Sequence, residues 1–210
     1  MMKKWILVGI FLSSIFLFGY ALFKILWAEY SVNQAIEKWD RQIQVEQREF
    51  QEEIRAENLI GDREPEPELN KPIQGEKKKP IMGDVVGKLE IDRLQRTLPI
   101  LQGSDTLILE KGVGHLPESV LPGEIGNSVL AGHRDTVFRG LGKLKKGDVV
   151  TIETRDGNFQ YEIIGYKIVD QDYRGIRLAH DKQMLTMITC YPFDFIGPAP
   201  KRYILTAKLK

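Results

Sequence analysis

Cysteine occurs once in this chain of 210 residues, at Cys190, and histidine three times, at His115, His133 and His180. A thiol attacks carbonyl carbon well only as the thiolate. A cysteine enzyme therefore needs a nearby base and a group that holds the developing oxyanion. Cys190 closes the apolar run Leu185-Thr186-Met187-Ile188-Thr189 and precedes Tyr191-Pro192, which cannot continue a central strand. A nucleophile at a strand end is rigidly held yet open to substrate. His133 stands in Val129-Leu130-Ala131-Gly132-His133-Arg134-Asp135, again just past an apolar run. His115, in the glycine-rich Gly112-Val113-Gly114-His115-Leu116-Pro117, and His180, in a polar loop, compete with it. Spacing ranks His133 first and leaves the other two open. Arg202 opens the last apolar run after Gly197-Pro198-Ala199-Pro200-Lys201. Its guanidinium stays charged and presents donors in a fixed fork, so it can bind a carbonyl oxygen that is turning negative. An exposed strand-edge arginine, and a buried cysteine serving as a small hydrophobe, are the plain alternatives.

The elements that must position these residues divide into three parts. Residues 1–28 begin with a short basic tip, followed from Trp5 to Phe23 by a run without one charge, close to the roughly 20 residues that cross a bilayer core. Tyr20 and Trp27 suit an interfacial belt. We expect an uncleaved membrane anchor with a cytoplasmic N-terminus, a cleaved signal peptide being the rival. Residues 29–82 form a helical stalk and linker. Val32, Ile36, Trp39, Ile43, Phe50 and Ile54 follow helical spacing on an otherwise polar segment, which reads as a solvated stalk, a coiled-coil contact or a helix on the membrane surface. Pro65, Pro67, Pro72 and Pro80 then mark an extended spacer.

From Gly83 to Lys210 short β-branched runs recur between turn signals, at 88–94, 98–101, 128–131, 149–153, 159–169, 184–189 and 203–209. Asp156-Gly157 reads as a hairpin turn and 139–145 as one short helix. Seven or eight strands in about 128 residues predict an all-β domain closed into a barrel. With 30 basic against 29 acidic residues, nothing points to nucleic acid as a partner. A lone cysteine allows no internal disulfide. Cys190 with His133 falls short of the three or four ligands zinc takes. Asp170, Asp172 and Asp181 share one polar loop, where carboxylates are more often solvated than calcium-bound, so no metal and no cofactor is expected.

The stretch Ser128-Val129-Leu130-Ala131-Gly132-His133-Arg134-Asp135-Thr136 with Phe138, the run Thr186-Met187-Ile188-Thr189-Cys190 and the downstream Arg202 together resemble the sortases. The resemblance begins at Gly87-Lys88-Leu89-Glu90-Ile91 and runs to the last strand. The usual Thr-Leu-x-Thr-Cys here carries Met187 for Leu, an apolar swap of similar volume. Cys190-Tyr191-Pro192-Phe193 looks most like class D. The resemblance implies an eight-stranded barrel with short helices on the outer side of a Gram-positive membrane. It implies Cys190 as nucleophile, His133 as acid and base, Arg202 as the arginine that binds substrate backbone and oxyanion, and Thr189 as a support of that oxyanion. It also implies LPxTG-like sorting signals as substrates and a peptidoglycan or lipid-linked precursor amine as acceptor. Hydrolysis alone, and a non-catalytic module that binds wall proteins, are the readings from other classes.

Overall fold

The computed structural model describes residues 2–60, 79–194 and 197–210, apart from side chains at residues 1–10 and at some later positions of the first helix. The linker expected over 61–82 thus lies mostly outside the described residues. A helix, α1 (Met2–Ile60), precedes eight strands: β1 (Val85–Ile91), β2 (Arg96–Gln102), β3 (Val113–His115), β4 (Gly126–Ala131), β5 (Val149–Thr154), β6 (Gly157–Asp170), β7 (Gln183–Tyr191) and β8 (Lys201–Leu209), with a one-turn helix α2 (Thr106–Leu109) between β2 and β3.

The strands close into a barrel in the order β1-β2-β3-β4-β7-β8-β6-β5. Two of its seams are parallel, β2 with β3 and β4 with β7, and the others antiparallel. Closure removes every exposed sheet edge where the ladders run. The β5–β6 hairpin turns where Asp156-Gly157 was expected, with Thr154 opposite Gly157 and Gly157 at φ +128°, a conformation that favours glycine. Three residues at Val113–His115 make β3, which the sequence reads as a glycine-rich turn. The short helix expected over 139–145 is a 3-10 turn at Leu141–Lys143.

Alternation along the strands sets the inside of the barrel. Leu130 on β4, Leu185 and Met187 on β7, and Leu205 and Ala207 on β8 all join one buried cluster with Leu89, Ile100 and Ile152 from the opposite wall. Val137, Phe138, Leu141 and Leu144 belong to the same cluster, so the chain between β4 and β5 folds in and plugs one end of the barrel. That end receives the C-termini of β4 and β7 and the N-terminus of β8.

The stripe is not left in solvent at Val32, Ile36, Trp39 and Ile43. Trp39 is fully buried, and its indole N–H donates to Glu153 Oε1 at 3.0 Å. Lys88 on β1 bridges Asp40 of the helix at 3.1 Å and Glu153 of β5 at 3.0 Å. Burial works against the charge on Lys88, but the two carboxylates outweigh it and raise its pKa. The helix is thus docked on the outer wall of β1, β2 and β5, and it runs without a break past residue 28. Among the described residues no helix is long and apolar enough to cross a membrane. The anchor expected over 1–28 therefore rests on sequence.

The docking predicts that the barrel folds without the helix but gains stability from it. Trp39→Ala should cost about 3 kcal/mol and lower Tm by roughly 5–10 °C in calorimetry. A chain beginning at Gly83 should remain folded with a loss of the same order. An unchanged Tm in both would show that the contact contributes nothing.

Candidate active site

Register places the chemical groups. On the antiparallel β7–β8 ladder Ile188 faces Ile204 and Cys190 faces Arg202 directly. On the parallel β4–β7 ladder Ala131 faces Ile188. The pairing carries on for one more step, because the Gly132 N–H donates to the Ile188 carbonyl at 3.1 Å. Side chains two apart on a strand share a face. Ala131, Ile188 and Ile204 form one layer on the outer wall; Cys190 and Arg202 extend it by two residues, and His133 follows two positions past the end of β4. The structure thus brings the three expected residues to the plugged end of the barrel, with Cys190 and Arg202 on one face. Their outward position follows from Leu130, Met187 and Leu205, which take the inward face.

Cys190 and His133 are both partly exposed. Arg202 donates through one nitrogen, Nη1, to the carbonyls of Ala199 and Lys201, each at 3.1 Å. It therefore lies folded onto the loop that precedes its own strand. Beside it on the outer wall Val169 is its partner in β6, and Lys167 faces Ile204. Lys167 Nζ meets the Tyr173 hydroxyl at 2.7 Å and sits 4.3 Å from the ring centroid, which holds the loop after β6 against this wall.

The loop bearing His133 is fixed from several sides. Gly132 packs under the Phe138 ring, where any side chain would collide with it. The Phe138 N–H donates to the His133 carbonyl at 2.9 Å. From β2, Arg96 Nη1 donates to the Thr136 carbonyl at 2.6 Å and the Val137 carbonyl at 3.2 Å. Thr189 belongs to this bracing too. It is 3 % exposed, on the inward side of β7, and its hydroxyl donates to the Gly132 carbonyl at 2.8 Å. In this structure the Thr189 hydroxyl proton is directed at the residue before His133. Arg134, which the sequence offers only as part of a motif, is buried as well, pairs with Asp135 and reaches the Pro192 carbonyl.

The other two histidines have different places. His180 precedes Gln183 at the far end of β7, separated from Cys190 by roughly 20 Å of strand. Its Nδ1 lies 3.3 Å from Asp181 Oδ1. His115 is 1 % exposed, with Nδ1 2.8 Å from the Gln102 side-chain oxygen and Nε2 2.9 Å from the Val120 carbonyl. Both ring nitrogens are engaged, so His115 is a structural link between β3 and the loop before β4. Asp170, Asp172 and Asp181 form no metal-binding group, and among the described residues no cluster of three or more ligands exists.

With this geometry in view, the comparisons with known proteins are direct. The sortase-domain family profile matches residues 89–210, more than half of the chain. The chain belongs to the sortase family. It is 50 % identical over 131 residues to Sortase D of Bacillus subtilis, a match that spans 62 % of this chain and 66 % of that protein. It is 29 % identical to Sortase A of Bacillus anthracis, spanning 60 % of each. The chain therefore spans about two thirds or less of these relatives' length. Among solved structures, a Sortase D5 transpeptidase of Clostridium perfringens superposes with a TM-score of 0.56 at 32 % identity, over 62 % of this chain and 82 % of that one. Sortase C of the same species, strain SM101, gives 0.57 at 31 % identity, over 67 % and 77 %.

Burial pushes the His115 pKa below 6.5, only partly offset by the Val120 carbonyl, Glu124 and Glu118. The unfolded chain takes up a proton near that pH which the folded one resists. Stability is therefore full above about pH 6.5 and falls as pH drops below it. Denaturation at a series of pH values should show this slope, and His115→Gln should flatten it. The same variant should keep peptide cleavage per folded molecule within about threefold, because the residue touches none of the reacting groups. Loss of cleavage comparable to that in His133→Ala would return His115 to the list of bases.

Proposed function

We propose that this chain is a cysteine transpeptidase that cleaves an LPxTG-like sorting signal after Thr and joins the released acyl group to a cell-wall peptide amine. The observation that carries the reading is the register that sets Cys190 opposite Arg202, with His133 two residues past the end of the β4 strand that pairs with β7. Membership in the sortase family supports the substrate class. In the first half-reaction the Cys190 thiolate attacks the carbonyl carbon after Thr. The oxyanion is held by Arg202, which swings off the Ala199 and Lys201 carbonyls. The C–N bond then breaks, and the leaving amine takes a proton from the His133 imidazolium. In the second half an incoming amine attacks the thioacyl carbon and gives its proton to His133, and the C–S bond breaks to restore the thiolate. That amine belongs to peptidoglycan or its lipid-linked precursor. The uncharged run from Trp5 to Phe23 supports a single N-terminal membrane span, with the N-terminus cytoplasmic and the barrel outside.

Hydrolysis shares the same intermediate, with water in place of the amine, so product analysis with and without added amine separates the two. A non-catalytic module would form no thioacyl species at all. Cys190→Ala should abolish cleavage of a sorting-signal peptide, and His133→Ala should reduce it by several orders of magnitude. Arg202→Ala should slow single-turnover acylation by about 10²–10³, with Arg202→Lys recovering only part because a point donor replaces a fork. Wild-type acylation in both Arg202 variants would reduce that residue to a structural strand-edge arginine.

A further inference from the structure

Arg134 follows His133 directly, and its side chain is 7 % exposed. A guanidinium is seldom buried this far unless its donors are matched. Its fork is closed by Asp135, with Nε 2.9 Å from Oδ1 and Nη2 3.0 Å from Oδ2. The remaining nitrogen, Nη1, donates to the carbonyl of Pro192 at 2.7 Å. Pro192 lies two residues past Cys190, in the turn by which the chain leaves β7. One side chain therefore joins the loop of the base to the turn of the nucleophile. The turn has a second anchor, since the Phe193 ring packs on Gly142 in the 3-10 turn of the plug. Asp135 is the main group that favours the charged form of Arg134, with Cys190 and Asp194 smaller contributors.

We propose that Arg134 is a positioning residue for thioacyl transfer: flattened by Asp135, it ties the turn after Cys190 to the His133 loop and so sets the approach of thiol and imidazole. The β4–β7 ladder ends at Ala131 and Ile188, before either reacting residue. Beyond it Gly132 is still held by the Ile188 carbonyl and the Thr189 hydroxyl, and the Arg134 bond ties the two chains again past His133 and Cys190. An arginine suits the place because one planar group must satisfy a carboxylate on one side and a single carbonyl on the other. Lysine keeps a donor for the carbonyl and loses the fork.

The catalytic half of this proposal rests on the transpeptidase reading, and the experiment therefore has two arms. In the first, without substrate, amide hydrogen exchange is followed in the full chain. Arg134→Ala should accelerate exchange at residues 133–138 and 190–194 by about tenfold or more while the β1, β5 and β6 amides stay unchanged. In the second, single-turnover acylation by a sorting-signal peptide should fall about 10²-fold in Arg134→Ala with KM within about threefold, and Arg134→Lys should recover about tenfold of that loss. Asp135→Asn, which keeps the arginine but loosens its fork, should slow acylation by less than Arg134→Ala. If Arg134→Ala does not fold, Arg134→Lys and Asp135→Asn carry both arms. Unchanged exchange in both loops overturns the tie. Wild-type acylation in the variants, a loss carried wholly by KM, or a lysine variant no faster than the alanine one overturns the catalytic consequence. A wild-type chain that forms no thioacyl species sinks the transpeptidase reading alone, because the exchange arm still decides whether Arg134 holds the two loops.

Discussion

Three strands with one fixed register are what the rest of this molecule depends on. β4 and β7 run parallel in a ladder that stops two residues short of His133, and β7 and β8 antiparallel in one that runs through Cys190 and Arg202 to Tyr191 and Lys201. Because side chains alternate between faces, a slip of a single residue in any of the three would send its contribution to the opposite side of the wall. Cys190 would then enter the barrel interior, or His133 and Arg202 would turn away from it. The inward layer of Leu130, Met187 and Leu205 prevents this, since a slip would also expose those three to solvent and drive polar groups into the core. Hydrophobic burial on one face thus enforces catalytic geometry on the other.

The β8 ladder carries β7 through Cys190 to Tyr191, but the β4 ladder stops before His133, and side chains from several directions brace the loop there. Thr189 holds the carbonyl of Gly132 from inside, Arg96 holds the loop from β2, and Arg134 spans to the turn after Cys190. Phe138 and its neighbours plug the barrel end beneath them. None of these groups meets substrate in the proposed reaction. Their work is to keep two loops from drifting, which matters when a small misplacement of reacting groups costs orders of magnitude in rate.

Much of this was legible in the residues, for reasons that differ from element to element. Seven of the eight strands show as apolar β-branched runs between turn signals, because burial and turn chemistry are local properties. β3 escaped because three residues flanked by glycines look like a turn, and only its parallel pairing to β2 makes it a strand. The docking of the stalk helix was missed for a related reason: a stripe that includes Trp39 looks the same whether it meets a barrel, another helix or solvent. Cys190, His133 and Arg202 stand out in the sequence because their motif is distinctive, yet that Cys190 faces Arg202 is a fact of register no spacing reveals. Arg134 and the hydroxyl of Thr189 carry no local signal of their bracing roles, since a charged residue in a loop normally stays in water.

The most direct measurement is a structure of the full chain with a sorting-signal peptide trapped as a covalent adduct on Cys190. The account predicts that the adduct oxygen accepts a hydrogen bond from the Arg202 guanidinium, which has left the carbonyls of Ala199 and Lys201, with the His133 imidazole facing the same carbon. An adduct whose oxygen is held by other groups, with Arg202 still folded onto Ala199 and Lys201, would contradict it.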